Sequence, residues 1–437
     1  MSLSSNSTGL GMVFRALSHR NYRLFFGGQS ISLIGTWLQI TAVSWLVFRL
    51  TGSSFLLGVV GFTSRIPTFL LASFAGVLVD RWNRHRLLVA TQVFSLIQAL
   101  ILAVLVLTDA IAFWHIIVLT LFLGVVNAFD VPVRQSFVVD MIERREDLGN
   151  AIALNSSMVN GARLVGPSVA GTLIATMGEG LCFLLNALSF VAVIVSLLAM
   201  RITPKTRERN KAPLWHGLTE GYRYAFGFFP IRSLLLLLAL VSFMAMPFTV
   251  LMPVFAGKIL QGGPQTLGFL LGATGVGALA GALFLASRRS VLGLGRIIVI
   301  ASSLFGIGLI GFSFSRVFWL SAAMMVVTGF GMMVQMTSTN TVLQTIVDED
   351  KRGRVMSFYT MAFMGMVPFG SLFAGSLASA IGTPETTMIG GIFCILGSLL
   401  FARKLPAFRE MVRPIYLEKG ILSQRSLPIV PPEPEGT

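Results

Sequence analysis

Charge is what this sequence has least of. Asp, Glu, Lys and Arg make up 12% of its 437 residues, about half the share usual in soluble globular chains. So little charge cannot coat a water-facing surface, which argues against a soluble enzyme. With 54% hydrophobic residues and a mean hydropathy of +0.81, disorder is equally out of reach. Cysteine is nearly absent. Cys182 and Cys394 both sit in or beside apolar runs and read as packed thiols rather than a bridge. His19, His85, His115 and His216 are dispersed, and no pair of carboxylates falls inside an apolar run. Zinc chemistry needs clustered ligands, and nucleophilic catalysis needs a base beside its nucleophile, so neither a metal site nor a catalytic residue is expected. No Gly-Lys-Ser or Gly-Lys-Thr string occurs, so a phosphate-binding loop of that kind is excluded. No cofactor is expected.

What the chain does have is apolar length. A helix needs about 20 mostly apolar residues to cross a bilayer. Ten stretches without Asp, Glu, Lys or Arg qualify: 24–48, 87–108, 110–129, 180–200, 233–257, 259–287, 297–315, 317–347, 355–384 and 386–402. Two more qualify with one arginine each, 50–79 around Arg65 and 151–178 around Arg163. The expectation is an all-α integral membrane protein of twelve transmembrane helices. The first 23 residues have no apolar core and no small-residue cleavage pattern follows the first span, so that span reads as a retained helix. The chain then divides into an N-terminal segment 1–23, a six-helix half 24–200, a basic linker 201–232, a second half 233–404 and a tail 405–437. With Pro428, Pro431, Pro432 and Pro434 near its end, the tail reads as disordered.

The 33 Lys and Arg against 18 Asp and Glu could by themselves suggest nucleic acid. Their placement points elsewhere. With both termini in the cytoplasm, 28 of the 33 basic residues fall on cytoplasmic segments, and only Arg49, Lys258 and Arg316 fall on the opposite side. That asymmetry follows the positive-inside rule. It predicts a multi-pass protein of the cell membrane, with anionic lipid headgroups rather than nucleic acid at its basic face.

An internal repeat links the two halves. Val138–Gly178 aligns without gaps on Val342–Gly382, pairing Ile142 with Ile346, Gly149 with Gly353, Gly171 with Gly375, Leu173 with Leu377 and Gly178 with Gly382. Six spans on each side of the linker fit two parallel repeats about an axis normal to the membrane.

Two strings stand out. Between spans two and three runs Gly76-Val-Leu-Val-Asp80-Arg81-Trp-Asn-Arg84-His85-Arg86. Its bland reading is a topology signal with a tight turn. Its functional reading is a charge cluster, with Arg134 nearby, that holds one conformation and releases in another. The corresponding stretch of the second half keeps Gly281, Arg288 and Arg289 but has Leu285 in place of the acid. On span five lies Gly161-Ala-Arg163-Leu-Val-Gly166-Pro167-Ser-Val-Ala170-Gly171. Small residues in a membrane helix permit close crossing, and proline permits a bend.

The first string resembles the loop 2/3 signature of the major facilitator superfamily. The second resembles the antiporter signature of the same superfamily, with Ala170 replacing one glycine. Pro132, Arg134 and Gln135, then Arg145, Asp147, Asn150 and Asn155, then Ala162, Arg163, Gly166 and Pro167 resemble its exporter branch of drug:proton antiporters and enterobactin-type siderophore exporters. The resemblance implies twelve helices in two parallel six-helix halves, export driven by proton influx, and rocking of the halves about a central cavity. A small molecule, protons and membrane lipids are the implied partners, and the chain is expected to act as a monomer.

The cavity has further candidates. Gln29, Ser32, Thr36 and Gln39 share one face of span one, a pattern that fits substrate contacts and helix–helix hydrogen bonds equally. Asp130, at the end of span four, is the carboxylate nearest to a span interior and the candidate proton carrier. Arg65 and Arg163 stand midway along their spans, the latter on a face with Ser156 and Asn160. Buried cations without a buried acid would favour anionic substrates over cationic ones. Nine of the twenty methionines fall between Met324 and Met366, which suits core packing or an adaptable cavity wall. A lipid or lysolipid flippase, or an uncoupled permease of the same fold, is the alternative function.

Overall fold

The computed structural model describes residues 14–201, 222–288 and 290–422, apart from the side chains of Ala72, Ser73, Gly76, Val77, Val79, Asp80 and Arg81. Among the described residues, twelve long helices account for the apolar runs. They are α1 (Arg20–Thr51), α2 (Ser54–Arg81), α3 (Arg84–Leu107), α4 (Phe113–Met141), α5 (Leu148–Met177) and α6 (Glu179–Leu198), then α7 (Phe229–Ile259), α8 (Pro264–Ala286), α9 (Leu294–Phe314), α10 (Phe318–Ile346), α11 (Arg352–Ile381) and α12 (Thr383–Glu418). Eleven are long and apolar enough to cross a membrane. The twelfth, α5, has the length at 30 residues but carries Asn150, Asn155, Ser156, Ser157, Asn160 and Arg163.

Local chemistry sets the breaks. Between α1 and α2 only two residues intervene: Gly52 takes a left-handed φ of 58°, and the Ser53 hydroxyl accepts from Leu56 N–H. That is a C-terminal glycine followed by an N-cap serine. Asn83 caps α3 in the same way through Arg86 N–H. The repeat is visible in the backbone itself. Gly178 (φ 80°, ψ 172°) and Gly382 (φ 105°, ψ 153°) are 204 positions apart, and each joins two helices with the same unusual conformation. Only glycine adopts it without strain.

In the first half α1 packs on α5 and α6, α2 on α4, and α3 on α4 and α6; in the second, α10 packs on α8 and α9, and α12 on α7 and α9. The halves meet along two seams, α5 with α8 and α2 with α11. Both described termini lie at one end of the bundle, the near end; the α1–α2, α5–α6 and α11–α12 connections lie at the far end. Two helices are interrupted. In α7 a turn at Ala245–Pro247 is followed by a π-helical turn Phe255–Ile259, and in α11 a π-helical turn spans Met361–Gly365.

The tail departs from expectation. Disorder was expected from residue 405, but α12 continues to Glu418 because Leu405, Phe408 and Val412 form an apolar face buried on the second half. Residues 423–437, with their prolines, lie outside the described residues, as do 1–13 and 202–221 of the N-terminal segment and linker.

At the near end a polar clasp ties the N-terminal turn to the α4–α5 connection. His19 Nδ1 accepts from Glu143 N–H at 3.4 Å, leaving Nε2–H to donate to Asp147 at 2.9 Å. Arg15 pairs with the same carboxylate, Ala16 N–H donates to Asn150, and Tyr22 donates to Ala151 O. The hydrogen bond from His19, then the Arg15 charge, hold the Asp147 carboxyl below the usual carboxylate range against the opposing effect of burial. A carboxylate depressed on folding stabilises above its unfolded pKa and loses that contribution as pH falls through its folded value. We expect Asp147→Asn to lower Tm at neutral pH. The deficit against wild type should shrink below about pH 4, as differential scanning fluorimetry across pH 3–8 can establish.

Candidate functional site

The antiporter-like string turns out to have two different ends. Toward the far end, Gly166, Pro167, Ala170 and Gly171 are buried. A Cβ on Gly171 would sit 2.5 Å from Pro264 O and 3.0 Å from Gly268 Cα; one on Gly268 would sit 2.4 Å from Pro167 O and 2.9 Å from Gly171 Cα. Gly166 lies against Trp37 of α1. The other seam repeats the arrangement: a Cβ on Gly58 would sit 2.6 Å from Ser371 O and 2.9 Å from Gly375 Cα. Glycine lets membrane helices approach to backbone contact. Hydrogen bonds crossing between the halves also belong to the far end: Ser54 with Thr383, Lys258 to Gly52 O, and Ser168 to Gly268 O. Toward the near end the same helix opens. Ala153, Ser156, Ser157 and Gly161 are accessible, and no atom approaches a Cβ on Gly161 within 4 Å. Accessible hydroxyls on a membrane helix face water rather than lipid. Much of the polar content of α5 thus lies on a face that no neighbouring helix covers, and we read that face as the wall of a cavity that the glycine contacts close at the far end and leave open at the near end.

Arg65 and Arg163 stand at the depth of this cavity. Measured from the far end of their helices they lie roughly 17 and 21 Å in. Arg65 is accessible, and Phe62 and Phe69, three and four residues away along α2, both meet Phe369 of α11, which places Arg65 on the side of α2 turned to the second half. Arg163 is half-buried and lies 5.7 Å from the Trp37 ring centroid, a cation–π distance. Asn160 turns back to Ser156 O of its own helix.

Asp130 sits deeper toward the near end, roughly 26 Å along α4. It is not at a helix end, as the charge-free run to 129 suggested: α4 continues to Met141. The carboxylate is buried. Its Oδ1 accepts from Thr91 (2.9 Å) and Gln92 (2.7 Å) of α3, and its Oδ2 pairs with Arg134 at 3.5 Å. Arg84 of the loop motif donates to Asp140 at 3.2 Å and Ser136 O at 3.5 Å, linking α3 to α4 within the first half. Arg86 lies in the first turn of α3, with its N–H bonded to the Asn83 cap. Gly76, Asp80 and Arg81 fall in the last turns of α2, and their side chains lie outside those described.

The polar stripe of α1 resolves mostly into packing. Gln39 accepts from Asn186 at 2.8 Å and donates to Gln98 at 2.9 Å, a buried chain across α1, α3 and α6. Gln29 and Ser32 are also buried, and Thr36 donates to Ser32 O. Gly28 and Gly35, on the same side, abut Ser196, Ser189 and Asn186 of α6. This face looks into the first half, so assignment of Gln29, Ser32 and Gln39 to the cavity is corrected. The methionines divide: Met325 and Met332 lie in the core of the second half, while Met361 and Met364 of the π-helical turn are exposed.

Sequence reasoning missed Thr91 and Gln92, the Arg84–Asp140 pair, Trp37 beside Arg163, and a far-end clamp in which Arg49 holds the buried Glu179 at 2.8 and 3.3 Å. Polar residues inside the third apolar run were the available signal for the first two. A groove of about 220 Å³ between Val291–Gly295 and Phe408–Tyr416 lies away from this chemistry. Among the described residues no three His, Cys, Asp or Glu side chains gather as a metal site.

Two six-helix halves around a cavity, joined by repeated glycine seams, define a transporter of the major facilitator superfamily. Residues 12–416 match the model of its transmembrane secretion effector family, and the chain belongs to that family. The staphyloferrin A transporter of Staphylococcus aureus is 26% identical over 387 residues, covering 87% of this chain and 95% of the relative. The multidrug efflux pump Tap of Mycolicibacterium fortuitum is 25% identical over 386 residues, 86% of this chain and 93% of that protein. In fold, the chain resembles the crystal structure of a bacterial homologue of the iron transporter ferroportin in its inward-facing state. The TM-score is 0.67 at 16% identity, covering 88% of this chain and 98% of that one.

Proposed function

We propose that the protein exports small amphipathic or anionic compounds across the cell membrane by alternating access, coupled to proton influx. The observation that carries this reading is the asymmetry of the seams, closed by glycine contacts at the far end and open at the near end. The positive-inside distribution supports a cytoplasmic near end holding both termini, so the cavity receives its substrate from the cytoplasm. Relatives named for a siderophore and for multidrug efflux support small molecules as cargo. Asp130 is the proposed proton carrier. Protonation would release Arg134 and weaken the bonds from Thr91 and Gln92, loosening α3 against α4. Arg84, Arg134 and the acid Asp80 are proposed as parts of the cytoplasmic gate.

Sidedness is tested by cysteine labelling in whole cells. Cys182 and Cys394 are buried and give little background. Labels at Asp109→Cys and Glu385→Cys should react with an impermeant maleimide without permeabilisation; reaction only after permeabilisation reverses the orientation. Export is tested in energised inverted vesicles. Dye accumulation should need no ATP beyond that used to set the gradient and should collapse with a protonophore; accumulation indifferent to the protonophore removes proton coupling.

A further inference from the structure

Membrane arginines without a partner are costly to keep, and this cavity contains two. Among the described residues, neither the Arg65 nor the Arg163 guanidinium has a hydrogen bond or ion pair to protein. The Trp37 ring gives Arg163 one face only. Arg163 is moreover a charge whose field reaches Arg65, so each cation adds to the cost of keeping the other. Around them the supply of acid is poor. The described carboxylates of the first half lie at the far end (Asp109, Glu179), toward the near end on α4 (Asp130, Asp140), or in the near-end α4–α5 connection (Glu143, Glu146, Asp147), and Glu179, Asp130, Asp140 and Asp147 are already paired to Arg49, Arg134, Arg84 and Arg15.

The charge is also one-sided. The seam contacts place α2 opposite α11 and α5 opposite α8, and they match Gly58 with Gly268 and Gly171 with Gly375. By those offsets the second-half counterparts of Arg65 and Arg163 are Gly275 and Val367, which are uncharged. The second half instead brings apolar groups toward α2: Phe369 lies 5.7 Å from the Phe69 ring and 5.9 Å from Phe62, and Gly365 meets Phe69. Met361 and Met364 are exposed beside that contact.

We propose that Arg65 and Arg163 form the binding site for the acidic group of an amphipathic anion, whose apolar body lies against the aromatic and methionine wall of α11. This rests on the transport reading above and names the substrate class of that site. An anion between the guanidiniums removes their mutual repulsion and supplies the hydrogen-bond acceptors both lack. A cation gains neither. Both arginines belong to the first half, so the acidic group stays with that half as the halves rock, while the apolar wall slides past it. Carrying negative charge outward also places export under the interior-negative membrane potential.

Two xanthene dyes of similar shape and opposite charge, carboxyfluorescein and rhodamine 6G, separate the possibilities. Binding is measured by fluorescence anisotropy with purified protein in phosphatidylcholine nanodiscs, independently of flux. Wild type should bind carboxyfluorescein about tenfold or more tighter than rhodamine 6G. Arg65→Gln should weaken carboxyfluorescein by about tenfold and strengthen rhodamine 6G, while Arg65→Lys keeps much of the preference. Carboxyfluorescein should change the Trp37 emission, a signal absent in Trp37→Phe. Equal binding of both dyes, or carboxyfluorescein binding untouched by Arg65→Gln in a protein of wild-type Tm, overturns the proposal. Loss of carboxyfluorescein binding when phosphatidylglycerol is added to the discs assigns the site to a lipid headgroup and also overturns it. Arginine-dependent binding without flux in proteoliposomes upholds the site and overturns the transporter reading instead.

Discussion

Gly171→Leu should abolish transport while the protein still reaches the membrane at near-normal abundance. The Cβ alone would stand 2.5 Å from Pro264 O, and the rest of the leucine has nowhere to go but between α5 and α8. Overpacking of this kind costs about 1–3 kcal/mol, and backbone contact puts this site at the upper end. The cost falls on one state only, the one in which the far-end seam is closed. At about 1.4 kcal/mol per decade, that state is depleted roughly a hundredfold, and a cycle that must pass through it slows in proportion. Gly375→Leu should act alike, because Gly58 stands to Gly375 as Gly268 stands to Gly171. Gly149→Ala is the control. Nothing lies within 4 Å of a Cβ there, and alanine favours a helix. Reconstituted flux normalised to protein content decides the matter. Wild-type flux in Gly171→Leu would show that the seam need not close.

Asp130→Asn carries the second large effect. Asparagine keeps the shape and can still accept from Thr91 or Gln92, but it cannot titrate, and it leaves Arg134 without its counter-charge. Uphill accumulation driven by a pH gradient should fall at least about tenfold, since a lost charged hydrogen bond is worth roughly 1.5–3 kcal/mol. Downhill counterflow, which needs only rocking, should persist. A variant that still concentrates substrate on a pH gradient would take Asp130 out of the coupling mechanism.

Much of this fold could be read in advance because the bilayer limits the choices. Apolar length gave the spans, and the repeat ending at Gly178 and Gly382 reappears as two matching backbone turns. Run boundaries were less informative. A charge-free window ends at the first charged residue, whereas a helix ends where its backbone groups find other partners. Asp130 is thus eleven residues inside the end of α4, its charge neutralised by Arg134 and α3. The same reasoning applies to the tail, where Arg403, Lys404 and Arg409 face outward while Phe401, Leu405 and Phe408 keep α12 folded onto the second half. For the α1 stripe, periodicity showed that Gln29, Ser32, Thr36 and Gln39 share a face, but which neighbour covers that face is a tertiary fact. Gly28 and Gly35 beside them held the hint, since glycines mark where α6 comes close.

Rocking of two halves about these seams is best tested by paired spin-label distances at positions the repeat makes equivalent. Glu146 and Asp350 mark the near end, and Thr176 and Ala380 the far end; all four are exposed. Cysteine pairs at each end, measured by double electron–electron resonance in nanodiscs, can be compared between the otherwise native protein and Gly171→Leu. The account predicts reciprocity: the variant lengthens the far-end distance and shortens the near-end one. A longer far-end distance with the near end unchanged would mean that the halves do not move as bodies, and alternating access about these seams would be wrong.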